Sequence, residues 1–143
     1  MKSKTLIIII IAVIIIFGIA YYLISPAFIV KEADEQIAGE ADIVAQGQFK
    51  PDAHEVAGKV LLLQEGNKKI IRFEDFETIN GPDLHIYLSS DLEGKDFIDL
   101  GKIKATKGNV NYEIPQEIDI EKYNKVLIWC VPFKVLFSYA ELN

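Results

Sequence analysis

Few side chains in this sequence could do chemistry beyond packing and solvation. The one that stands apart is Cys130, the only cysteine among 143 residues. A thiol can be oxidised, enter a mixed disulfide, or, as thiolate, ligate haem iron or another soft metal. An internal disulfide is excluded, because there is no second cysteine. A plainer reading stands beside the redox one. Cys130 lies in the apolar run VLIWCV, and cysteine is among the most often buried residue types. A thiol buried this way has a raised pKa and is inert. The sequence alone leaves both readings open.

The two histidines, His54 and His85, are the next candidates, with Tyr87 and Trp129 as aromatic neighbours that could contact a cofactor. On a strand, His85 and Tyr87 project from one face, and Asp83 is near enough in sequence to orient a group there. A His–Cys pair could form a ligand set if the fold joined the strands. Two histidines and one cysteine are too few for a structural zinc site without a carboxylate, and no metal is assigned. The plainer readings are an ordering hydrogen bond for His85 and a turn position for His54, which follows Pro51, Asp52 and Ala53. Trp129 should point away from Cys130, either relaying an electron, shielding a pocket or filling the core. Tyr112 lies in GNVNYEIP, where Asn109 and Asn111 are expected to brace a turn. Asp91, Glu93, Asp96 and Asp99 could bind calcium but lack a recognised oxygen-ligand loop, and a solvated acidic surface accounts for them.

Several enzyme classes find no support. There is no G-x-S-x-G elbow, P-loop, dinucleotide fingerprint or H-E-x-x-H helix. Nothing pairs the carboxylates across a cleft for hydrolysis. Whether the chain is an enzyme at all stays open.

The elements that must position these residues begin with a membrane segment. Leu6 to Ile24 is an uncharged run of nineteen residues, about 28 Å long as a helix, close to the hydrocarbon thickness of a bilayer. Tyr21 and Tyr22 fall where aromatic rings meet headgroups, Pro26 interrupts the pattern, and Phe28 to Val30 could prolong the interfacial contact. The run is longer than a signal-peptide core and no A-x-A site follows it, so a retained anchor is expected. Lys2 and Lys4 precede the helix and favour an N-in, C-out orientation. This gives a cytoplasmic N-terminus over residues 1–5, an anchor over 6–24 and an acidic juxtamembrane linker over 25–42 with room for a turn of helix. An extracytoplasmic domain at the cell membrane, spanning 43–141, follows. Lys2 and Lys4 are the only charges among the first thirty residues, leaving 13 basic against 21 acidic side chains, a net charge of −8. That balance excludes a nucleic-acid partner, which needs a basic footprint.

From Ile43 the pattern is one of short strands, expected at Ile43–Phe49, Gly58–Gln64, Lys69–Phe73, Leu84–Ser89, Phe97–Lys104, Val110–Ile114, Lys125–Val131 and Phe133–Tyr139. Turn residues separate them, with hairpin chemistry at Glu65-Gly66-Asn67 and a strong turn at Asn80-Gly81-Pro82-Asp83. No 3.6-residue apolar period is sustained after residue 42. The fold expected is all-β, a compact antiparallel β-sandwich or barrel-like domain behind one transmembrane helix. Lys125–Val131 is apolar on both faces and reads as a central strand. Pro132 should end it. Phe133, Val135, Phe137 and Tyr139 are then expected to form one apolar stripe.

A series of residues carries a resemblance. Gly47-Gln48-Phe49 and His54-x-x-x-Gly58 are followed by Phe76-x-Thr78 and by GPDLHIYLS from Gly81 to Ser89. GNVNYEIP from Gly108 to Pro115, Val126-x-Ile128-Trp129-Cys130 and Phe133-x-Val135-x-Phe137 complete it. Over roughly residues 43–141 this resembles the DM13 domain family, small extracytoplasmic β-domains sometimes joined to DOMON and cytochrome b561-type modules. The resemblance implies an electron-transfer role, proposed for the family from that company and from its near-universal cysteine, which corresponds here to Cys130. His54 also falls where many members have histidine. No DOMON or b561 segment is present here, so an electron donor or acceptor would be a separate membrane or extracytoplasmic redox protein. No cofactor is assigned, haem being one that Cys130 could ligate. The alternative is a non-catalytic β-domain that binds a protein, glycan or surface component, with Cys130 a buried core residue.

Overall fold

The computed structural model describes residues 2–25, 29–37 and 39–143; Pro26 and Phe28, read above as a break after the anchor and an interfacial contact, lie outside the described residues. The apolar run forms α1 (Lys2–Ile24). Its window from Ser3 is long and apolar enough to cross a membrane, and none of it is buried against the protein. In lipid a helix satisfies every backbone polar group internally, so the poor aqueous helix propensity of Ile and Val does not matter there.

Ten strands follow: β1 (Glu32–Asp34), β2 (Asp42–Gln48), β3 (Lys50–Pro51), β4 (Val56–Glu65), β5 (Lys68–Thr78), β6 (Leu84–Ser89), β7 (Phe97–Lys102), β8 (Lys107–Ile114), β9 (Lys125–Cys130) and β10 (Val135–Glu141). They form two five-stranded sheets, ordered β1-β8-β5-β4-β2 and β3-β10-β9-β6-β7. The domain is therefore a β-sandwich. It closes partway toward a barrel at one corner, where Gln46 and Asn143 exchange main-chain hydrogen bonds of 3.2 and 3.1 Å.

Alternation along the strands builds the core. Val60, Leu62, Ile71, Phe73, Val110 and Tyr112 of the first sheet meet Leu84, Ile86, Leu88, Val126, Ile128 and Cys130 of the second. Phe73 packs edge-on to Phe49 at 4.9 Å and tilts toward Phe76 and Tyr112 at 4.9 and 5.2 Å. β9 is the middle strand of its sheet, and its other face carries Leu127 and Trp129 into a smaller cluster with Tyr87 and Leu136. Both faces of VLIWCV are thus covered, as its composition requires.

The structure departs from the sequence reading in three places. Residues 31–42 hold a strand rather than only a linker: β1 pairs parallel with β8 from Glu32↔Lys107 to Asp34↔Asn109. An acidic tripeptide gives no alternating apolar signal, because this pairing is made by backbone and polar side chains. Second, Asn109 and Asn111 brace that strand rather than a turn. Asn109 Nδ2 donates to Asp34 Oδ1 at 2.7 Å, and Asn111 Nδ2 donates to the Gln36 carbonyl at 3.1 Å. Third, the expected stripe from Phe133 to Tyr139 is broken. Phe133 is exposed in a turn where Lys134 takes φ +53°, and the register shifts between Leu136 and Ser138. Val135 and Phe137 face the core, and the extra residue of the bulge moves Tyr139 onto the outer cluster.

β1 and β2 lie at opposite edges of the first sheet, so the chain between them must cross it. It crosses the outer face, where Arg72 Nη1 donates to the Glu35 carbonyl at 2.8 Å and to Asn111 Oδ1 at 3.0 Å. Gly108 is the hinge of this attachment. Its φ is +105°, and a Cβ there would collide with the Ala33 carbonyl oxygen. Gly108→Ala should therefore lower the unfolding free energy of the full chain in detergent by about 1–3 kcal/mol, measured by chemical denaturation.

Candidate functional site

Cys130 is the last residue of β9, in register with Leu84 on one side and Val135 on the other. Its side chain points into the sandwich and is fully buried. It does not sit at the middle of the core, however. Two turns close over it, Asn80 to Asp83 entering β6 and Val131 to Lys134 entering β10. The thiol donates to the Pro82 carbonyl at 3.4 Å. Burial pushes its pKa up from the ordinary 9.0. The Phe133 backbone N–H opposes that shift, and the nearby Asp83 carboxylate adds to it. Cys130 is therefore held as the neutral thiol at neutral pH. The Val131 N–H donates to the Asp83 carbonyl at 3.2 Å and ties the two turns together.

His54 stands at the same end of the sandwich. Its ring lies 4.0 Å from that of Phe137, and its backbone N–H donates to the Phe137 carbonyl at 3.1 Å. The Phe137 ring in turn lies over Gly81, where a Cβ would come within 2.8 Å of Cζ. This accounts for glycine in the GPDLH turn. His54, Phe137, Gly81 and Pro82 thus form a continuous cover leading to the thiol.

His85 is on the opposite face of the sheet. It is in register with Trp129, not with Cys130. Its Nδ1 lies 2.8 Å from Asp99 Oδ2, and its Nε2 lies 3.5 Å from Asp83 Oδ1. Asp83 Oδ1 is also 2.6 Å from Lys102 Nζ, and the hydrogen bond from that ammonium holds the Asp83 carboxyl below its usual range. The structure therefore does not bring His85 and Cys130 together as a ligand pair. Among the described residues, no group of three or more His, Cys, Asp or Glu side chains is placed to hold a metal ion. A haem iron does not fit Cys130 either. The sulfur is enclosed, it is already hydrogen-bonded to Pro82, and His85 is across the sheet.

Tyr87 and Trp129 share that outer face. Tyr87 stacks on Phe97 at 4.0 Å with rings 14° apart, and on Trp129 at 6.0 Å with rings 24° apart. Burial raises the Tyr87 pKa, and the Asp99 and Asp83 carboxylates reinforce the shift. The loop after β6 folds over Trp129, where a Cβ at Gly94 would come within 3.1 Å of the indole. Two of the acidic residues in this loop, Asp91 and Asp96, are engaged by the protein's own groups. Asp91 accepts the Lys95 and Asp96 backbone N–H groups, which lowers its pKa. Asp96 accepts the Tyr123 hydroxyl and pairs with Lys122 at 2.8 Å.

Two partners escaped the sequence reading. Lys102 neutralises Asp83 beside the Cys130 turn, and Arg72 is buried where it holds the segment that leaves β1 across the first sheet. The spacing of β6 against β7 could have suggested the first, since His85 and Lys102 are cross-strand partners. Nothing local could have suggested the second.

A family model described as electron transfer DM13 matches residues 48–142, which contain all of these side chains except those of the segment that leaves β1. No curated protein and no solved structure matches the chain.

The raised thiol pKa has a consequence for stability. The folded state holds the Cys130 proton more tightly than the unfolded chain does, so this contribution is complete below pH 9 and is lost as pH rises through the folded value. Wild-type stability should fall above pH 9 more steeply than that of Cys130→Ala. At neutral pH the substitution itself should cost about 1–3 kcal/mol for the lost packing. Denaturant titrations of both proteins at a series of pH values check the two effects together.

Proposed function

The chain belongs to the electron transfer DM13 family, and from that membership we propose that it is a membrane-tethered electron-transfer module working outside the cytoplasm, with Cys130 as its redox group. The observation that carries the reading is the position of the thiol. It is the chain's one cysteine, set at the end of a strand beneath two turns and bonded to the Pro82 carbonyl of the GPDLH turn. A core cysteine kept only for its volume has no need of that setting. Opening of the Val131–Lys134 turn would be enough to admit a reagent or partner, while the closed form keeps the thiol protonated.

The apolar N-terminal helix supports single-pass anchoring, and the lysines before it support the N-in orientation. No cofactor enters this reading, since the geometry at Cys130 leaves no ligand position. Electrons would pass one at a time to or from a separate redox protein, the Cys130 S–H giving that protein one electron and releasing its proton to water when the turn opens.

A second reading is favoured by one observation, the complete burial of Cys130. In it the domain binds a protein, glycan or surface component and the thiol is inert packing. Mediated electrochemical titration of the full chain in detergent separates the two. On the redox reading the wild type shows a reversible wave that Cys130→Ala lacks, and alkylation of the folded protein abolishes it. A flat response, with Cys130 alkylated only after denaturation, would hand the function to the binding reading.

A further inference from the structure

All the turns that surround Cys130 lie at the end of the sandwich where the chain arrives from α1. The Lys31 carbonyl accepts the Thr106 and Lys107 backbone N–H groups at 2.8 and 3.1 Å, and the Lys31 N–H donates to Thr106 Oγ1 at 3.0 Å. Asn80 Nδ2 donates to the Ile29 carbonyl at 3.2 Å. The chain is thus fixed to the domain from Ile29 onward. Five residue steps separate Ile24, the end of the helix, from Ile29, a reach of at most about 18 Å at full extension. β4 alone, with ten residues, is roughly 33 Å long. The tether is shorter than the domain it holds.

The same end carries exposed apolar side chains on three separate segments. Ile29 and Val30 are 53% and 65% exposed, Ile79 is 43% exposed and Phe133 is 53% exposed. Ile29, Val30 and Ile79 line one cleft of about 370 Å³. Charge follows the same axis. Near Ile79 and Phe133, Asp83 is paired with Lys102 and Glu77 with Lys107, while Lys31 and Lys134 offset Asp52 and Glu55. The loops at the far end, 90–96 and 115–124, hold six acids against two lysines. The acidic surplus of the domain is therefore concentrated away from this end.

We infer that the domain stands end-on against the bilayer that its own helix spans, with Ile29, Val30, Ile79 and Phe133 in contact with the lipid surface. The two turns over Cys130 then face the membrane rather than open solvent. The occupant of the apolar end is the lipid interface itself, reached by apolar contact, because the charge there is balanced rather than basic. The inference rests on membrane insertion of α1 and not on any chemistry at Cys130.

The test uses the full chain in phosphatidylcholine nanodiscs containing a lipid with a nitroxide on its headgroup. Amide resonances of Ile79, Asn80, Gly81 and Asp83 and of Val131, Phe133 and Lys134 should be broadened several-fold more than those of 66–67 and 117–121. The doubly substituted Ile79→Asp, Phe133→Asp chain changes only exposed positions and keeps the short tether, so it should narrow that difference without abolishing it. Equal broadening at both ends in the wild type would overturn the inference, as would a difference that the double substitution leaves unchanged. A chain that fails to elute with the nanodiscs would instead overturn the anchor reading, and this inference with it.

Discussion

The main-chain hydrogen bonds that Thr106 and Lys107 donate to the Lys31 carbonyl decide the geometry of everything downstream of the helix. They start β1 against β8 and thereby set the direction in which the chain crosses the first sheet. They also fix which end of the sandwich is joined to α1. Because β3 runs into β4, β5 into β6, β7 into β8 and β9 into β10 at that end, four connections converge there. Cys130, His54 and the GPDLH turn share this neighbourhood through topology, although they are far apart in sequence. Arg72 and the two asparagines of β8 hold the arrangement from the outer face by giving the crossing segment polar partners that water would otherwise supply.

The two faces of the second sheet separate two kinds of chemistry. The inner face at Cys130 is dry, and its thiol stays protonated because ionisation would bury an unpaired charge beside Asp83. The outer face gathers His85 with Asp99, Asp83 and Lys102 next to the Tyr87–Phe97–Trp129 stack. Asp83 belongs to both. Its backbone carbonyl holds the turn over the thiol, while its carboxylate anchors the charge cluster outside. Its φ of +54° is the backbone conformation that lets one residue serve the two sides.

Where the apolar pattern alternates, the fold was legible in the sequence. Leu84, Ile86 and Leu88 face the core as their spacing requires, and the both-sides apolar run at β9 is the middle of its sheet. The turn residues at Gly66 and Gly81 marked where β4 gives way to β5 and β5 to β6. Legibility failed where the backbone, not side-chain hydrophobicity, does the binding. β1 is an acidic tripeptide held by parallel pairing, and the bulge at Phe137 comes from a register shift that period-two reasoning cannot see. At the candidate site, the burial of Cys130 was one of two readings that its apolar neighbours allowed. The opposition of His85 and Cys130 across the sheet follows from adjacent cross-strand partners, Leu84 with Cys130 and His85 with Trp129, and needed the register to be known.

The corner where Gln46 and Asn143 exchange hydrogen bonds has a consequence for how the domain meets its neighbours. β2 is an edge strand whose Ile43 and Val44 are exposed, the kind of ribbon that recruits another chain. Proteins confined to a plane meet one another far more often than the same molecules free in three dimensions. Asn143 occupies the donor and acceptor of Gln46 halfway along that ribbon, and the irregularity between Ile43 and Ala45 bends what remains. The seam between the sheets thus doubles as a guard against lateral polymerisation. Wherever α1 holds the chain in a bilayer, that crowding meets a strand with little backbone left to offer.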